Sequence, residues 1–131
     1  DDHPLFRAIQ RLGNRFVWIG NKRHDPGVLH FRFQAGIDAF SAGFVNFAPD
    51  LELELFAAAQ EQDWLRMVEL QAQLAPLERL RARYDDAGML KATMELIGLA
   101  GGPVRPPRVE LTAIEREKIE MELRRLGVLA T

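Results

Sequence analysis

The sequence predicts an α/β fold in which short parallel strands alternate with helices, followed by a helical C-terminal half. Two apolar runs, residues 15–20 (RFVWIG) and 39–47 (AFSAGFVNF), are rich in β-branched and aromatic residues. Neither run shows the alternation of a strand with one face in water, so both are typical of strands buried on both faces. Helical patterns alternate with these runs, which indicates parallel βα units.

Periodicity and end signals predict the helices of the first half. Residues 3–12 place four apolar side chains on one side of a helix, and Pro4 suits its first turn. A loop follows the first strand, and residues 28–37 have a mixed apolar pattern that we interpret as a helix. The second strand passes directly into a helix that begins at Pro49 and extends to Gln60.

The second half of the chain is predicted to be helical. A long leucine-rich pattern after Asp63 contains Pro76, which should kink or split the helix. A further helix is predicted over residues 87–99, and the prolines of residues 104–111 (VRPPRVEL) disfavour helix there. Residues 112–115 (TAIE) match a capping box and predict the start of a last helix, which ends at Leu126.

Composition excludes several classes of protein. The 131 residues suit a single ordinary domain, and the 17 basic and 19 acidic residues are interleaved, so we expect no nucleic-acid partner. No apolar run reaches the roughly 20 residues that span a bilayer, and the charged start is not a signal peptide, so no membrane partner and a cytoplasmic location are expected. The absence of cysteine excludes thiolate nucleophiles and cysteine metal sites.

The histidines and lysines offer weak candidates for chemistry. His3, His24 and His30 lack ligand spacing, so we interpret them as surface or loop residues and expect no metal. Lys22 lies in a predicted polar loop, where desolvation could hardly lower its pKa. Lys91 has apolar neighbours, and its stem should pack on them with the ammonium in water. There is no glycine-rich phosphate loop, and no cofactor is expected.

The predicted sheet is incomplete. Two parallel strands with unpaired outer edges expose backbone donors and acceptors on both sides, and so small a sheet does not normally stand alone. Either other chains complete it, or the sequence is one piece of a larger protein.

Two segments carry a family resemblance. Residues 40–50 (FSAGFVNFAPD) resemble a strand end of the form F-T-S-G-L-V-N-x-x-P-E, and residues 97–107 (IGLAGGPVRPP) resemble a late L-G-L-x-G-x-x-R-P-P segment. Both occur in the dihydrodipicolinate synthase and N-acetylneuraminate lyase family, which contains class I Schiff-base aldolases and sugar-acid dehydratases. The chain resembles the C-terminal part of that family along almost its whole length.

The resemblance implies a (β/α)8 TIM barrel with a C-terminal helical extension. Residues 1–62 would hold the last two strands, the seventh and eighth, with their helices, and residues 63–131 would form the extension. It also implies a homo-oligomer, a tetramer or a dimer, in which the remaining barrel strands or a partner chain complete the sheet.

The resemblance also implies a chemistry. Family members use a lysine amine to form a Schiff base with a pyruvate-like 2-oxo acid. That lysine ends the sixth strand, so it is expected upstream of Asp1, and no catalytic residue is expected in this chain. Lys91 resembles a lysine of the family's C-terminal helices, whereas Lys22 does not match the catalytic position.

The chain is expected to contribute pocket wall at the strand ends. Gly20 would leave room where a side chain would crowd the substrate, and Ser41, Ala42 and Gly43 would place a hydroxyl and backbone groups near the carboxylate of the 2-oxo acid. Ala42 stands where many relatives have serine. The alternative is that these small residues only let strand and helix pack closely.

A non-catalytic interaction or structural module derived from the barrel end is the alternative function. Such a module would complete its sheet by association. An enzyme fragment, in contrast, requires a longer chain with a strand that ends in lysine before Asp1.

Overall fold

The structure, a computed structural model, describes residues 2–22 and 27–130, and over these ranges it contains two parallel strands and six α-helices. The elements in chain order are α1 (His3–Leu12), β1 (Ile19–Asn21), α2 (Leu29–Gln34), β2 (Ala39–Ser41), α3 (Pro49–Gln60), α4 (Trp64–Arg83), α5 (Asp86–Leu96) and α6 (Ala113–Arg125). Short 3₁₀ turns occupy Gly13–Arg15 and Gly43–Asn46. The predicted order of helices and strands and the helical second half are confirmed.

The sheet consists of β1 and β2, which pair in parallel as predicted. Ile19 lies opposite Ala39, and Asn21 lies opposite Ser41. The backbone N–H of Lys22 donates to the Ser41 carbonyl at 3.2 Å, which extends the pairing beyond β1. Both strands are shorter than their apolar runs, because the second run turns into the 3₁₀ turn after Ser41.

The apolar run before and within β1 is not buried on both faces, so that prediction is wrong for this chain. Val17 is 74% exposed and Ile19 is 63% exposed, and Phe16 is also exposed. The reason is that the described chain supplies two strands and covers one side of them. The apolar side chains that suit a fully buried strand therefore face outward.

The core lies between the C-terminal helices and α3. Helix α4 places buried residues against α3, α5 and α6. The fully buried side chains of this core include Leu55, Met67, Leu70, Leu74, Leu77, Met89, Ile119 and Leu123. Burial of a leucine or methionine stabilises a fold by about 1.5–3 kcal/mol, so this cluster holds the extension against the end of the sheet.

Pro76 was predicted to kink or split this helix, and the split is wrong because α4 is continuous through Pro76. The helix spans 20 residues, from Trp64 to Arg83. Proline removes one backbone donor, but buried apolar residues on both sides of Pro76 keep both halves helical. The Asp63 side chain caps the helix by accepting from the backbone N–H of Arg66 at 3.0 Å.

Other helix limits agree with their signals to within a few residues. The predicted ranges 3–12 and 49–60 are confirmed as α1 and α3. The capping box is also confirmed, since the Glu115 N–H donates to Thr112 Oγ1 at 3.3 Å and the Thr112 N–H donates to Glu115 Oε2 at 2.8 Å. Helix α2 is shorter than predicted, and α5 ends before Gly98, whose φ is +84°.

Candidate functional site

A pocket lies beside the carboxyl end of β2. It measures about 450 Å³ and brings together two of the predicted substrate-binding residues, Ser41 and Ala42. Its lining residues are Phe40, Ser41, Ala42, Val45, Glu52, Leu53 and Phe56. In parallel α/β proteins, the carboxyl ends of the strands are where ligands bind. The pocket is therefore the candidate site, with one hydroxyl and one carboxylate in a mainly apolar wall.

The two predicted glycines, Gly20 and Gly43, lie outside the lining of this pocket. A Cβ on Gly20 would lie 2.8 Å from Ile37 Cδ1, and a Cβ on Gly43 would lie 2.9 Å from Leu90 Cδ1 and 3.0 Å from both terminal nitrogens of Arg81. Packing within the chain thus leaves little room for a side chain at either glycine, which is compatible with the alternative interpretation. Contact of either glycine with a substrate stays a prediction.

The Gly43–Asn46 turn connects the pocket to α3. The Asn46 side chain donates to the Gly43 carbonyl at 2.9 Å, which closes the turn. The ring of Phe44 points inward from this turn and is buried against Phe47, with ring centroids 5.0 Å apart. The turn therefore ties the pocket edge to the core.

The prediction that Lys22 lies in a polar loop is wrong. Its side chain is buried, with 4% of the residue exposed. The ammonium nitrogen lies 2.6 Å from Glu52 Oε1 on α3 and 3.1 Å from Glu78 Oε1 on α4. It also lies 5.5 Å from the centroid of the Phe44 ring. An ammonium bonded to two carboxylates has no free electron pair for attack on a keto group. This contact, and not a polar loop, is what argues against Lys22 as the nucleophile.

We call Lys22, Glu52 and Glu78, with Phe44 and Arg81 beside them, the Lys22 cluster. Arg81 contacts the other edge of the cluster, with its guanidinium 5.6 Å from the Phe44 ring and its Nε 2.5 Å from Asp86 Oδ1. Burial raises the pKa of Glu78, and the nearby Glu52 charge raises it further. Lys22 and Arg81 lower the pKa of Glu78, but burial outweighs them. The cluster joins β1, the Gly43–Asn46 turn, α3 and α4 through buried charge.

Sequence reasoning missed Glu52 and Glu78 as members of a site. Each is an acidic residue beside a leucine in a helix, and its burial depends on which neighbour packs over it. The available signal was the position of Glu52 in the first turn of α3, directly after the strand end that was already a candidate. Lys22 follows the end of the other strand. Because both residues come after strand ends, the sequence could have predicted that Lys22 and Glu52 lie close together.

Lys91 is also bound more firmly than predicted. Its ammonium donates to the Gly101 carbonyl at 2.9 Å and to the Pro103 carbonyl at 3.0 Å, rather than lying in water alone. The side chain thereby fastens the loop after α5 back onto that helix. This is a structural use of the ammonium, and the absence of a catalytic role for Lys91 stays a prediction.

Replacing Gly101 by alanine is expected to lower the free energy of unfolding by about 1–3 kcal/mol, because overpacking forces the backbone to shift. A Cβ on Gly101 would lie 2.3 Å from the Lys91 carbonyl oxygen, which is backbone. Urea denaturation of the variant measures the effect. The matched control is Gly20→Ala, where the new methyl meets the flexible end of Ile37 and the cost should be smaller. Equal costs in the two variants would contradict the argument.

The histidines differ from one another. His3 is exposed on α1, as predicted, and His24 lies outside the described residues. His30 is buried, so its interpretation as a surface or loop residue is wrong; its Nδ1 lies 3.2 Å from Gln71 Nε2, and burial lowers its pKa. Across residues 2–22 and 27–130, no group of three histidine, aspartate or glutamate side chains is arranged to hold a metal. No helix in the same ranges is long and apolar enough to cross a membrane.

Two parallel βα units with a pocket at a strand end, followed by packed helices, define the chain as part of an α/β protein. The chain belongs to the Dihydrodipicolinate synthetase family, whose model matches residues 5–126. The resemblance recognised in the sequence is thereby confirmed.

Individual relatives agree with this assignment. The chain is 37% identical over 84 residues to a 4-hydroxy-tetrahydrodipicolinate synthase of Methanopyrus kandleri, covering 64% of the chain and 28% of that protein. It is 34% identical over 114 residues to a probable 5-dehydro-4-deoxyglucarate dehydratase of Rhizobium meliloti, covering 84% of the chain and 38% of that protein. The fold matches dihydrodipicolinate synthase from Aquifex aeolicus with a TM-score of 0.86 at 20% identity, covering 100% of the chain and 44% of that structure.

The chain spans less than half the length of these relatives. The two described strands and the helices that follow thus correspond to part of the family's barrel fold.

Proposed function

We propose that the chain is the C-terminal part of a Schiff-base-forming lyase, an aldolase or a dehydratase, that acts on a pyruvate-like 2-oxo acid. The observation that carries this proposal is the pocket at the carboxyl end of β2 in a chain of this family. The relatives include a synthase and dehydratases by name, which supports the reaction class and leaves the particular substrate open.

The chain would supply the last two strands of the barrel. Four exposed apolar side chains support this placement, because such side chains are suited to burial. They are Val17 and Ile19 in the first apolar run and Val45 and Leu53 beside the pocket. The remaining barrel strands, from the same polypeptide or a partner chain, would cover them. In this division residues 1–62 end the barrel and residues 63–131 form the extension.

The proposed chemistry assigns this chain the wall of the pocket. A lysine from the preceding strand would attack the keto carbon of the substrate, and loss of water would leave the imine that serves as electron sink. The Ser41 hydroxyl would donate to the carboxylate end of the substrate, and Ala42 would leave space where a larger side chain would narrow the pocket. Gly20 and Gly43 would act through the close packing that sets the strand ends.

Assembly and location are part of the proposal. A homo-oligomer, either dimer or tetramer, and a cytoplasmic location are expected of such an enzyme. The proposed partners are thus a small 2-oxo acid, the remaining barrel strands and further copies of the protein, with no nucleic acid and no membrane.

Reduction of the Schiff base tests the proposal. Incubation of the natural protein with pyruvate and borohydride should add a pyruvyl group to a lysine upstream of Asp1 and none to Lys22 or Lys91. Peptide mass spectrometry locates the label, and borohydride without pyruvate is the control. Label on Lys22 would overturn the assignment, because it would require the ion pairs of that lysine to open.

The intact mass of the natural protein separates this proposal from a non-catalytic module. A mass of about twice that of the chain or more is expected for a complete barrel of roughly 250 residues. A mass equal to the 14.9 kDa of the chain would mean that the protein has no Schiff-base lysine. The non-catalytic module, which completes its sheet by association, would then be favoured.

A further inference from the structure

In the Lys22 cluster, two buried carboxylates share one ammonium. Lys22 is the shared partner of Glu52 and Glu78, and only one oxygen of each reaches its ammonium. The second buried cation of the cluster, Arg81, pairs with Asp86 at 2.5 Å. With both glutamates ionised, two carboxylates at this point of the interior therefore face a single ammonium. Buried charge without compensation is strongly unfavourable.

The second oxygens of the two glutamates show the same imbalance. Glu52 Oε2 and Glu78 Oε2 are both enclosed, and neither has a hydrogen-bond partner. Glu52 is 3% exposed and Glu78 is 2% exposed. An ionised carboxylate oxygen can only accept, so two such oxygens beside the same ammonium have no donor. A proton on Glu78 removes one of the two carboxylate charges and turns its enclosed carboxyl group into a donor.

We propose that Glu78 keeps its proton in the folded protein at pH values where exposed glutamates have lost theirs, and that this proton holds α3 and α4 together beneath the candidate pocket. Glu52 and Glu78 contact the same ammonium, so their carboxyl groups lie close to each other. Glu52 also lines the pocket, which places the proton site directly behind the pocket wall. Loss of the proton sets a second ionised carboxylate against the shared ammonium and pushes α3 and α4 apart.

The electrostatics around Glu78 agree with this proton site. Burial raises the pKa of Glu78 most strongly, and the opposing effects of Lys22 from the end of β1 and Arg81 from α4 do not offset it. The charge of Glu52 on α3 raises the pKa of Glu78 further, and Asp86 on α5 forms an ion pair with Arg81. Lys22, Arg81 and Glu52 are thus the charged groups that act on Glu78 in the part of the chain that the structure describes.

The sign of the pH effect follows from the increased pKa. The folded protein keeps the Glu78 proton at pH values where the unfolded chain has released it, so this contribution to stability is complete below the ordinary glutamate value of 4.5. It is lost as the pH rises from that value through the pKa of the folded state. Over this interval the folding equilibrium constant falls by up to about tenfold per pH unit relative to a variant without the group.

Titration of the glutamate carboxyl groups tests the proton site. In the purified natural protein labelled with ¹³C at the glutamate carboxyl carbon, we expect one signal to titrate well above the ordinary range. Glu78→Gln should abolish that titration, since the amide imitates the protonated acid and keeps a donor. Glu52→Gln should move it to lower pH, because Glu78 then pairs alone with Lys22. Glu117→Gln, at an exposed position on α6, is the control and should leave it unchanged.

Unfolding measured from pH 4 to pH 8 gives an independent readout. The ratio of the folding equilibrium constants of Glu78→Gln and the wild type should rise with pH, whereas Glu117→Gln should give a flat ratio. If every glutamate carboxyl of the wild type titrates in the ordinary acid range, both residues are ionised in the fold. The proposal is then wrong, whatever the outcome of the Schiff-base experiment.

Discussion

Replacing Lys22 by methionine is expected to lower the free energy of unfolding by about 3–5 kcal/mol, the cost of removing one partner from a buried ion pair. Methionine has a similar length and keeps the apolar contacts of the stem. It leaves Glu52 and Glu78 facing each other without the ammonium that lies 2.6 Å and 3.1 Å from them. Urea denaturation at pH 7, with the midpoint and slope fitted separately, measures the loss.

Two controls show whether charge or packing causes this loss. Lys118→Met makes the same chemical change at an exposed position of α6 and should alter stability by less than about 0.5 kcal/mol. The triple variant Lys22→Met, Glu52→Gln, Glu78→Gln removes all three ionisable groups together and should recover most of the stability lost by the single variant. A Lys22→Met protein as stable as the Lys118→Met protein would show that Lys22 lies in water, as the sequence alone suggested.

The sequence was sufficient for most elements because their signals are local. The capping box at Thr112 and the proline at the start of α3 act through neighbouring backbone groups, and both were confirmed. The continuity of α4 through Pro76 was not predictable in the same way. Whether a proline splits a helix depends on the packing of the turns on either side of it, and these contacts come from residues distant in sequence.

The site was less predictable than the fold. Ser41 and Ala42 could be proposed as pocket residues because strand ends are where parallel α/β proteins bind ligands, and both residues line the pocket at the end of β2. The burial of Lys22 could not be identified, because a lysine after Gly-Asn has the local signature of a surface loop. Its partners are 30 and 56 residues away in the chain, at Glu52 and Glu78. Tertiary pairing of this kind leaves no periodic signal.

The apolar residues of the first strand show the opposite situation, in which the sequence pattern indicates burial and the structure shows exposure. The run at residues 15–20 has the composition of a fully buried strand, and the composition is informative even though Val17 and Ile19 are exposed in this chain. Apolar strands cost solubility when they stay uncovered. Under the proposed function, the remaining strands of the barrel would cover these residues, and their apolar composition fits that environment.

Replacing Phe44 by alanine is expected to lower the free energy of unfolding by about 3–5 kcal/mol, as for other buried phenylalanines. The Phe44 side chain is 1% exposed and packs against Phe47. Its ring also lies between two cations, with Lys22 Nζ 5.5 Å and the Arg81 guanidinium 5.6 Å from its centroid. Alanine removes both the apolar volume and the π face, and urea denaturation measures the combined loss.

Two further variants separate these contributions. Phe44→Leu keeps most of the volume and should lose about 1–2 kcal/mol, since volume-conserving changes are tolerated and desolvated cation–π contacts reach about 2 kcal/mol. Phe31→Ala makes the same truncation at a residue that is 56% exposed and should cost much less. If Phe44→Ala costs no more than Phe31→Ala, the Gly43–Asn46 turn does not anchor the pocket edge. A large loss with an intermediate value for leucine would instead show that the aromatic ring holds the turn, and hence Ser41 and Ala42, against the buried charges of α3 and α4.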